Sequence, residues 1–319
     1  MRKTYLFLTG GLGNQLFQMA AALSLGHKSE IVLDVTSGNP RNGSHELADL
    51  FSIFSGLGVS VDTKKRIPLS SKIGGYVLRS GAEPKGLETN KLYQRIVRLI
   101  SSIYFSILKH QLIVVRANVG VGYSKINTNS KLSTFLFGYF QSYKWVEQEQ
   151  VREFMNSLTV QNPSEDYQDM MKEIMHVHPI VMHIRRGDYA FEPNFGVLSQ
   201  AYYENSLENI RNLGIEQEVW VFTDDPDWAR IVTSGRTFAG EKIRLVDDSN
   251  LSTGEIFDLM RYGSAYVIAN SSFSWWAAYL SRTKVAPVVA PKPWFVGLPE
   301  PESLIPASWK RVSGFKPRI

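Results

Sequence analysis

Residues 179–188 read PIVMHIRRGD, an apolar run that passes directly into two arginines, a glycine and an aspartate. The run from Pro179 to Arg185 has the length and the β-branched content of a buried strand. Polar residues that follow a buried strand lie at its carboxyl end, which is where open parallel sheets bind their ligands. The stretch therefore predicts a strand of a parallel sheet and, at its end, one edge of a binding site.

Strands and helices alternate regularly on the C-terminal side of this strand. The predicted strands are 218–223, 243–246, 265–269 and 285–290, and the predicted helices are 200–212, 227–232, 254–262 and 274–281. This spacing predicts a doubly wound α/β domain with a parallel sheet.

A second βαβ pattern opens the chain. Residues 5–9 predict a strand, 10–14 a glycine turn (GGLGN), 15–25 an alanine-rich helix and 30–35 another strand. The sequence NPS at 162–164 separates this half from the regular alternation that follows. We therefore expect two α/β domains, residues 1–160 and 161–319, which suits the length of the chain.

The composition is that of a globular protein, with 44% hydrophobic and 20% charged residues. The chain has no cysteine, which excludes disulfides, thiolate metal sites and thiol nucleophiles and agrees with a cytoplasmic location. The apolar run at the N-terminus is too short for a signal-peptide core or a membrane span, so we expect no transmembrane helix.

The net charge of +5 is unevenly distributed, because residues 61–120 hold eleven Lys/Arg against three Asp/Glu. Residues 91–115 combine apolar side chains at helical spacing with basic ones, and we expect a helix packed on the core with a solvated basic edge. The alternative is an interfacial helix that holds the protein peripherally against anionic lipid of an inner membrane. No nucleic-acid-binding module accompanies the basic residues, so no nucleic-acid partner is expected. Nothing in the sequence indicates an oligomeric state.

The adjacent Arg185 and Arg186 are the first candidate ligand-binding residues. A guanidinium group binds phosphate or carboxylate through two parallel hydrogen bonds, which lysine cannot do. Asp188 could orient one arginine while the other meets the ligand. The alternative is a structural ion network among these three side chains.

Residues 270–276, NSSFSWW, follow a predicted strand and open a predicted helix. Backbone N–H groups and serine hydroxyls at a helix start bind anions, although N-capping by a serine also explains the pattern. Together with the arginines, this helix start could hold a diphosphate without a metal ion.

The sequence TDDPD at 223–227 raises the question of a metal site. Asp225 and Asp227 have a spacing that can bind Mg²⁺ or Mn²⁺ beside a diphosphate. Pro226 suits the first position of a helix with Asp225 as its N-cap, and we favour this structural interpretation. Three histidines at or near the strand 179–185 form only a weak metal signal: His176, His178 and His183.

The glycine turn at 10–14 is neither a Rossmann fingerprint nor a P-loop, because the third glycine and the Lys-Ser/Thr pair do not follow. Gly11 and Gly13 would allow a ligand to approach the backbone. Asn14 and Gln15 offer amide donors and acceptors at the same turn.

Four segments together resemble the inverting α-1,2-fucosyltransferases, glycosyltransferase family 11. The family motifs Gly-Leu-Gly-Asn-Gln-Leu-Phe-Gln, His-x-Arg-Arg-x-Asp, Thr-Asp-Asp and Asn-Ser-Ser-Phe-Ser-Trp-Trp match, in family order, residues 11–18, 183–188, 223–225 and 270–276. The resemblance implies a GT-B-like architecture with two Rossmann-like domains facing a cleft. It places the acceptor side in the N-terminal domain and GDP-fucose in the C-terminal domain.

The resemblance also implies roles for individual residues. Arg185 would hold the GDP diphosphate as it leaves, Asp188 would lie near the arginines or the fucose, and Asn14 would face the reaction centre. The implied nucleotide-binding positions are Gly11, Gly13, His183, Arg186, Asp225, Ser271 and Ser272. As the general base of an inverting attack we expect Glu192, with Asp34 as the alternative.

The implied reaction is inverting transfer of L-fucose from GDP-fucose to the 2-hydroxyl of a terminal galactose-type residue in an O-antigen or another surface glycan. It requires no cofactor and no essential metal. One alternative is a metal-dependent glycosyltransferase that uses Asp225 and Asp227 with another sugar nucleotide. The other is a non-catalytic nucleotide- or sugar-binding module in which Trp275 and Trp276 stack on a sugar.

Overall fold

The computed structural model describes residues 3–25, 30–34, 59–62, 110–114, 122–123, 133–192, 194–235 and 238–315, together with Leu99, Ile103 and Ile107. The chain divides into two compact units, Met1–Gln161 and Asn162–Ile319.

The first unit contains a parallel five-stranded sheet. Its strands are β1 (Lys3–Phe7), β2 (Glu30–Asp34), β3 (Val59–Asp62), β4 (His110–Val114) and β5 (Ser133–Phe137), in the order β3-β2-β1-β5-β4. Its described helices are α1 (Leu12–Ser24), a 3₁₀ helix (Tyr143–Val146) and α2 (Glu149–Asn156). Apolar side chains of α1, β1 and β5 form the core, including the fully buried Leu6, Leu16, Phe17, Phe135 and Leu136.

The second unit contains a parallel six-stranded sheet of β6 (Ile180–Ile184), β7 (Val219–Thr223), β8 (Ile243–Leu245), β9 (Ala265–Val267), β10 (Val288–Lys292) and β11 (Lys310–Ser313). The order β11-β10-β9-β6-β7-β8 is the 3-2-1-4-5-6 order of a dinucleotide-binding Rossmann sheet. The helices are α3 (Glu165–Val177), α4 (Gln200–Arg211), α5 (Pro226–Thr233), α6 (Thr253–Met260) and α7 (Ser272–Tyr279).

Two parallel sheets with helices between their strands confirm the α/β, GT-B-like fold class. The assignment of acceptor and donor to the two units stays a prediction. The sequence did not predict β11 or α3. The helix α3 is rich in charged residues, and only Tyr167 and Ile174 of it are buried.

Polar side chains cap the N-termini of several helices of the second unit. Ser199 caps α4 and Ser252 caps α6, where Glu255 completes a capping box by accepting the backbone N–H of Ser252. The side chains of Asp225 and Ser271 accept backbone N–H groups at the starts of α5 and α7 and so cap these helices. Each of the last two residues lies just past the carboxyl end of a strand, so helix capping and the candidate site share the same positions.

The prediction of one helix over 91–115 is wrong at its C-terminal end, where His110–Val114 is the strand β4. Most of residues 91–109 lie outside the described residues. Leu99, Ile103 and Ile107 are helical and their side chains are exposed, which does not fit the core-packed interpretation of these three positions. Among the described residues, no helix has the length and apolar character needed to cross a membrane.

Candidate functional site

The strand order brings the predicted polar clusters of the second unit to neighbouring strand ends. β6 lies between β9 and β7, and all three strands are parallel. Residues 185–188 follow β6, Asp224 and Asp225 follow β7, and Asn270 and Ser271 follow β9. The order of the sheet reverses between β6 and β9, and such a switch point opens a crevice at the carboxyl edge.

Arg185 is oriented by two carboxylates. Its Nη2 donates to Asp188 Oδ1 at 2.7 Å, and its Nη1 lies 3.1 Å from Asp224 Oδ2. Its guanidinium carbon is 5.5 Å from the centre of the Tyr189 ring. The Nε atom is buried and donates to no other described residue. The side chain is 32% exposed, so a guanidinium that is already oriented remains accessible to an anion.

Arg186 is held in a different way. Its Nε donates to Asp225 Oδ2 at 3.0 Å, and its guanidinium carbon lies 4.2 Å from the centre of the Trp228 ring. This combination of an ion pair and a cation–π contact stabilises the start of α5. Of the two arginines, Arg185 therefore has the geometry of an anion-binding residue. The contacts of Arg186 hold the start of α5 in place.

Asp224 organises this loop, although the sequence analysis did not select it as a site residue. Its Oδ1 accepts the backbone N–H of Arg186 at 2.8 Å, while Oδ2 faces Arg185. A Cβ on Gly187 would lie 2.5 Å from Asp224 Oδ2, so only glycine allows this close approach. The signal for Asp224 was present in the Thr-Asp-Asp motif, but Asp225 alone was chosen from it.

His183 is the residue before the last one of β6, and its side chain is buried. Its ring centre lies 6.0 Å from that of Phe273 on α7. Burial, assisted by the nearby positive charge of Arg185, lowers the pKa of His183 to about 3. The imidazole is therefore neutral at physiological pH, and its Nδ1 has no hydrogen-bond partner among the described residues.

The start of α7 closes the other side of the switch point. Ser271 Oγ accepts the backbone N–H of Phe273 at 3.3 Å, so Ser271 acts as the N-cap, while Ser272 is the first helical residue and is partly exposed. Asn270 is buried and donates to the carbonyl of Phe195 at 2.9 Å. This contact ties the loop after β6 to the loop after β9.

Trp275 and Trp276 are fully buried. Trp275 donates its indole N–H to the Leu304 carbonyl at 2.9 Å and stacks on Tyr279. Both rings belong to the core, so the alternative in which they stack on a sugar is wrong.

The Asp-x-Asp pair is divided between two structural roles. Asp225 Oδ1 accepts the backbone N–H of Trp228, which confirms its prediction as the N-cap of α5. Asp227 points into solvent and pairs with Arg230 at 2.7 Å. No group of three or more His, Asp or Glu side chains among the described residues has a metal-binding arrangement.

Glu192 follows a 3₁₀ helix at Asp188–Phe191 and lines a cavity of about 600 Å³. Arg186, Tyr189, Trp228 and Gln200 also line this cavity, whereas Arg185 and Ser271 do not. Glu192 therefore lies beside the arginine loop, and its role as a base stays a prediction. The alternative base, Asp34, ends β2, and its side chain lies outside the described residues.

In the first unit, the glycine turn connects β1 to α1 and carries Asn14. Gly10 has φ +76°, and a Cβ there would lie 2.6 Å from Asn14 Nδ2, whereas a Cβ on Gly11 would meet nothing within 4 Å. Gly13 is buried in the first turn of α1. Gln15 is not a free ligand-binding group, because its Nε2 donates to the Gly10 carbonyl at 2.8 Å.

Asn14 has a partner that the sequence analysis missed. Gln141, four residues after β5, donates from Nε2 to Asn14 Oδ1 at 2.6 Å. β5 is the neighbour of β1, and the order of the first sheet reverses between these two strands. No local sequence signal connects two residues so far apart in the chain.

The chain is similar to known glycosyltransferases. The family description "Glycosyl transferase family 11" matches residues 112–296, which is more than half of the chain. The O-antigen biosynthesis glycosyltransferase WbnK of Escherichia coli is 28% identical over 92% of this chain and 95% of its own length. An α-1,2-colitosyltransferase of Escherichia coli is 26% identical over 59% of this chain and 66% of its own length.

Among solved structures, the α-1,6-fucosyltransferase NodZ of Bradyrhizobium, co-crystallised with GDP, aligns with 88% of this chain and 92% of its own. Its TM-score is 0.48 and its sequence identity 13%. The match to the family description confirms the resemblance inferred from the motifs: the protein is a glycosyltransferase and belongs to glycosyl transferase family 11.

Proposed function

We propose that the protein transfers L-fucose from GDP-fucose, with inversion at the anomeric carbon, to the 2-hydroxyl of a terminal galactose-type residue. The observation that carries this proposal is Arg185, which is oriented by Asp188 and Asp224 at the switch point of the second sheet. The acceptor belongs to a surface glycan such as an O-antigen.

The reaction breaks the bond between the anomeric carbon and the phosphate oxygen, and negative charge develops on the departing GDP. A guanidinium and a helix start placed beside that charge stabilise the transition state more than the ground state. Arg185 supplies the first group, and the start of α7 at Ser271 and Ser272 supplies the second. This assignment requires no metal ion for departure of the diphosphate.

The acceptor hydroxyl forms the new bond to the anomeric carbon and loses its proton to a base. Glu192 is our candidate, because it follows the arginine loop and lines a cavity. Asp188 keeps Arg185 in place. His183, which is neutral, lies against Phe273 of α7 and contributes to the nucleotide pocket.

The named relatives support the class of acceptor and the linkage. One is an O-antigen biosynthesis glycosyltransferase, and the other forms an α-1,2 linkage with a colitosyl group. Because the second relative is a colitosyltransferase, the main alternative donor is a sugar nucleotide that carries a deoxysugar other than fucose. A donor panel therefore includes GDP-fucose, GDP-colitose and GDP-mannose.

The decisive experiment measures transfer to a β-galactoside by the purified protein, with and without EDTA. Arg185→Ala removes the proposed diphosphate contact. Arg230→Ala is the matched control, because Arg230 is an exposed arginine of the same unit that pairs with Asp227. We expect fucosylated product that survives EDTA, persists in the control and disappears in Arg185→Ala. If product forms only from another sugar nucleotide, the proposed donor is wrong. If EDTA abolishes product formation, the metal-free mechanism is wrong.

A peripheral position on the inner membrane is a further part of the proposal. The exposed Leu99, Ile103 and Ile107 and the positive charge of residues 61–120 support it. Co-sedimentation with vesicles that contain an anionic lipid, compared with neutral vesicles, tests it. Equal recovery in both pellets would contradict an electrostatic attachment.

A further inference from the structure

The amide side chains of Asn14 and Gln141 meet at the topological switch point of the first sheet. Asn14 follows β1 and Gln141 follows β5, and these parallel strands are neighbours. Open parallel sheets bind ligands beyond the carboxyl ends of their strands at such a point. The first unit thus has a polar pair at the position where the second unit has its arginine loop.

The backbone on both sides of this pair is strongly constrained. Phe140, directly before Gln141, has φ +52° and is fully buried, with its ring 5.8 Å from that of Trp145. A bulky residue in the left-handed region is strained and persists only where packing enforces it, often at functional sites. On the other side, Gly10 with φ +76° leaves just enough space for Asn14 Nδ2. Both amides are therefore held in place before any ligand arrives.

The hydrogen bond between the two amides leaves each of them with a further hydrogen-bonding atom. Gln141 Nε2 donates to Asn14 Oδ1, which leaves Gln141 Oε1 as an acceptor and Asn14 Nδ2 as a donor. Gln141 Oε1 is buried and has no partner among the described residues. Exchanging the oxygen and nitrogen of both amides together would again leave one donor and one acceptor. A buried acceptor without a partner costs free energy, and a ligand that supplies a donor recovers it.

One hydroxyl group satisfies both atoms at once, because it donates a hydrogen bond and accepts another. We propose that Asn14 and Gln141 bind a single hydroxyl group of the acceptor sugar and that Gln141 is a specificity-determining residue of the acceptor site. The hydroxyl donates to Gln141 Oε1 and accepts from Asn14 Nδ2. This inference rests on the proposed function in that it presupposes a sugar acceptor, but it does not depend on which sugar nucleotide is the donor.

The first test is the substitution Gln141→Met, which keeps the length of the side chain and removes its amide. Gln148→Met is the matched control, because Gln148 is an exposed glutamine of the same unit whose amide donates to the Ser24 carbonyl. We expect Gln141→Met to lower kcat/KM for the acceptor by roughly 10- to 100-fold. GDP-fucose hydrolysis without acceptor and the KM for GDP-fucose should keep their wild-type values. An effect on the KM for GDP-fucose alone, or no effect, would overturn the inference.

The second test identifies the hydroxyl with a set of deoxy-galactosides, each lacking one hydroxyl. One of them should be a poor acceptor for the wild type and no worse than the parent sugar for Gln141→Met, because the two changes remove the same interaction. Additive losses for every deoxy sugar would contradict direct contact.

The two proposals can fail separately. If another sugar nucleotide proves to be the donor, the same comparison is made with that donor, and the proposed donor alone is wrong. If the wild type transfers fucose but Gln141→Met responds to every acceptor as the wild type does, the inference alone is wrong. Saturation-transfer NMR of acceptor binding to both proteins makes the comparison without turnover.

Discussion

Asp224 Oδ2 lies 3.1 Å from Nη1 of Arg185, so the carboxylate that follows β7 orients the guanidinium that follows the neighbouring strand β6. The same carboxylate accepts the backbone N–H of Arg186. The two contacts explain why an acidic residue that touches no proposed reacting atom should still control activity.

We predict that Asp224→Asn lowers kcat/KM by roughly 10-fold or more, because the amide loses the charge-assisted contact to Arg185. Asp227→Asn is the control: the Asp227 side chain is 95% exposed and pairs with the exposed Arg230, so the activity of this variant should match that of the wild type. Steady-state kinetics of both variants check this. Equal losses would show that the Asp224–Arg185 contact has no special role.

Substitution by lysine should separate the two arginines. Arg185→Lys keeps the charge but loses the planar group between Asp188 and Asp224, and we expect kcat/KM to fall roughly 100-fold with little change in thermal stability. Arg186→Lys loses the Nε contact to Asp225 and the stacking on Trp228, so its main effect should be a lower melting temperature. Activity assays and thermal melts of the two variants check this, and the opposite distribution would assign the diphosphate to Arg186.

The neighbouring glycines of the first turn should also respond differently. Gly10→Ala forces a side chain into the left-handed region and against Asn14, and should destabilise the protein by about 1–2 kcal/mol or more. Gly11→Ala meets no protein atom and has an ordinary extended conformation, so its stability should equal that of the wild type. If a ligand approaches the backbone at this turn, Gly11→Ala reduces activity without unfolding. Denaturant titration and activity assays distinguish the two effects, and a fully active Gly11→Ala would exclude close approach at Gly11.

His183 should contribute to the pH dependence of stability. Its pKa is lowered to about 3 in the folded state, against about 6.5 in the unfolded chain. Between these values the unfolded chain binds the extra proton, so the stability that this group contributes is complete above pH 6.5 and is lost as the pH falls toward 3. The loss from pH 7.5 to pH 5 amounts to about 2 kcal/mol.

Denaturant unfolding at pH 7.5 and pH 5 measures this loss in the wild type and in His183→Gln. The variant should lose less stability on acidification, and the difference between the two proteins isolates the contribution of His183. The kcat/KM profile should show no acidic limb from His183 between pH 5 and 8. An equal loss of stability in both proteins would contradict the neutral, buried imidazole.

The sequence predicted the second unit well, for identifiable reasons. β7 was expected at 218–223 and lies at Val219–Thr223, because its apolar run ends in a polar cluster that starts a capped helix. The positions of the candidate ligand-binding motifs at strand ends followed from the same alternation. Asp225 as the cap of α5 followed from Pro226 at the first helical position.

Other features depend on contacts that no local pattern encodes. Trp275 and Trp276 follow a possible ligand-binding helix start, and only the packing against Leu304 and Tyr279 shows that they belong to the core. Asp224 pairs with Arg185 and Asp225 with Arg186, and these contacts join residues that are 39 positions apart in the chain. The contact between Asn14 and Gln141 depends on the pairing of β1 with β5, which brings distant segments together.

The position of β6 in the middle of its sheet has a consequence for biosynthesis. Ile180 pairs with Val219 on one side and with Ala265 on the other, so a chain emerging from the ribosome can align β6 with β7 long before β9 has been made. During that interval an apolar strand edge lacks its neighbour and is open to self-association. The switch point between β6 and β9 is completed only when the second half of the unit folds back, so a nascent chain acquires its candidate ligand site later than its first strands.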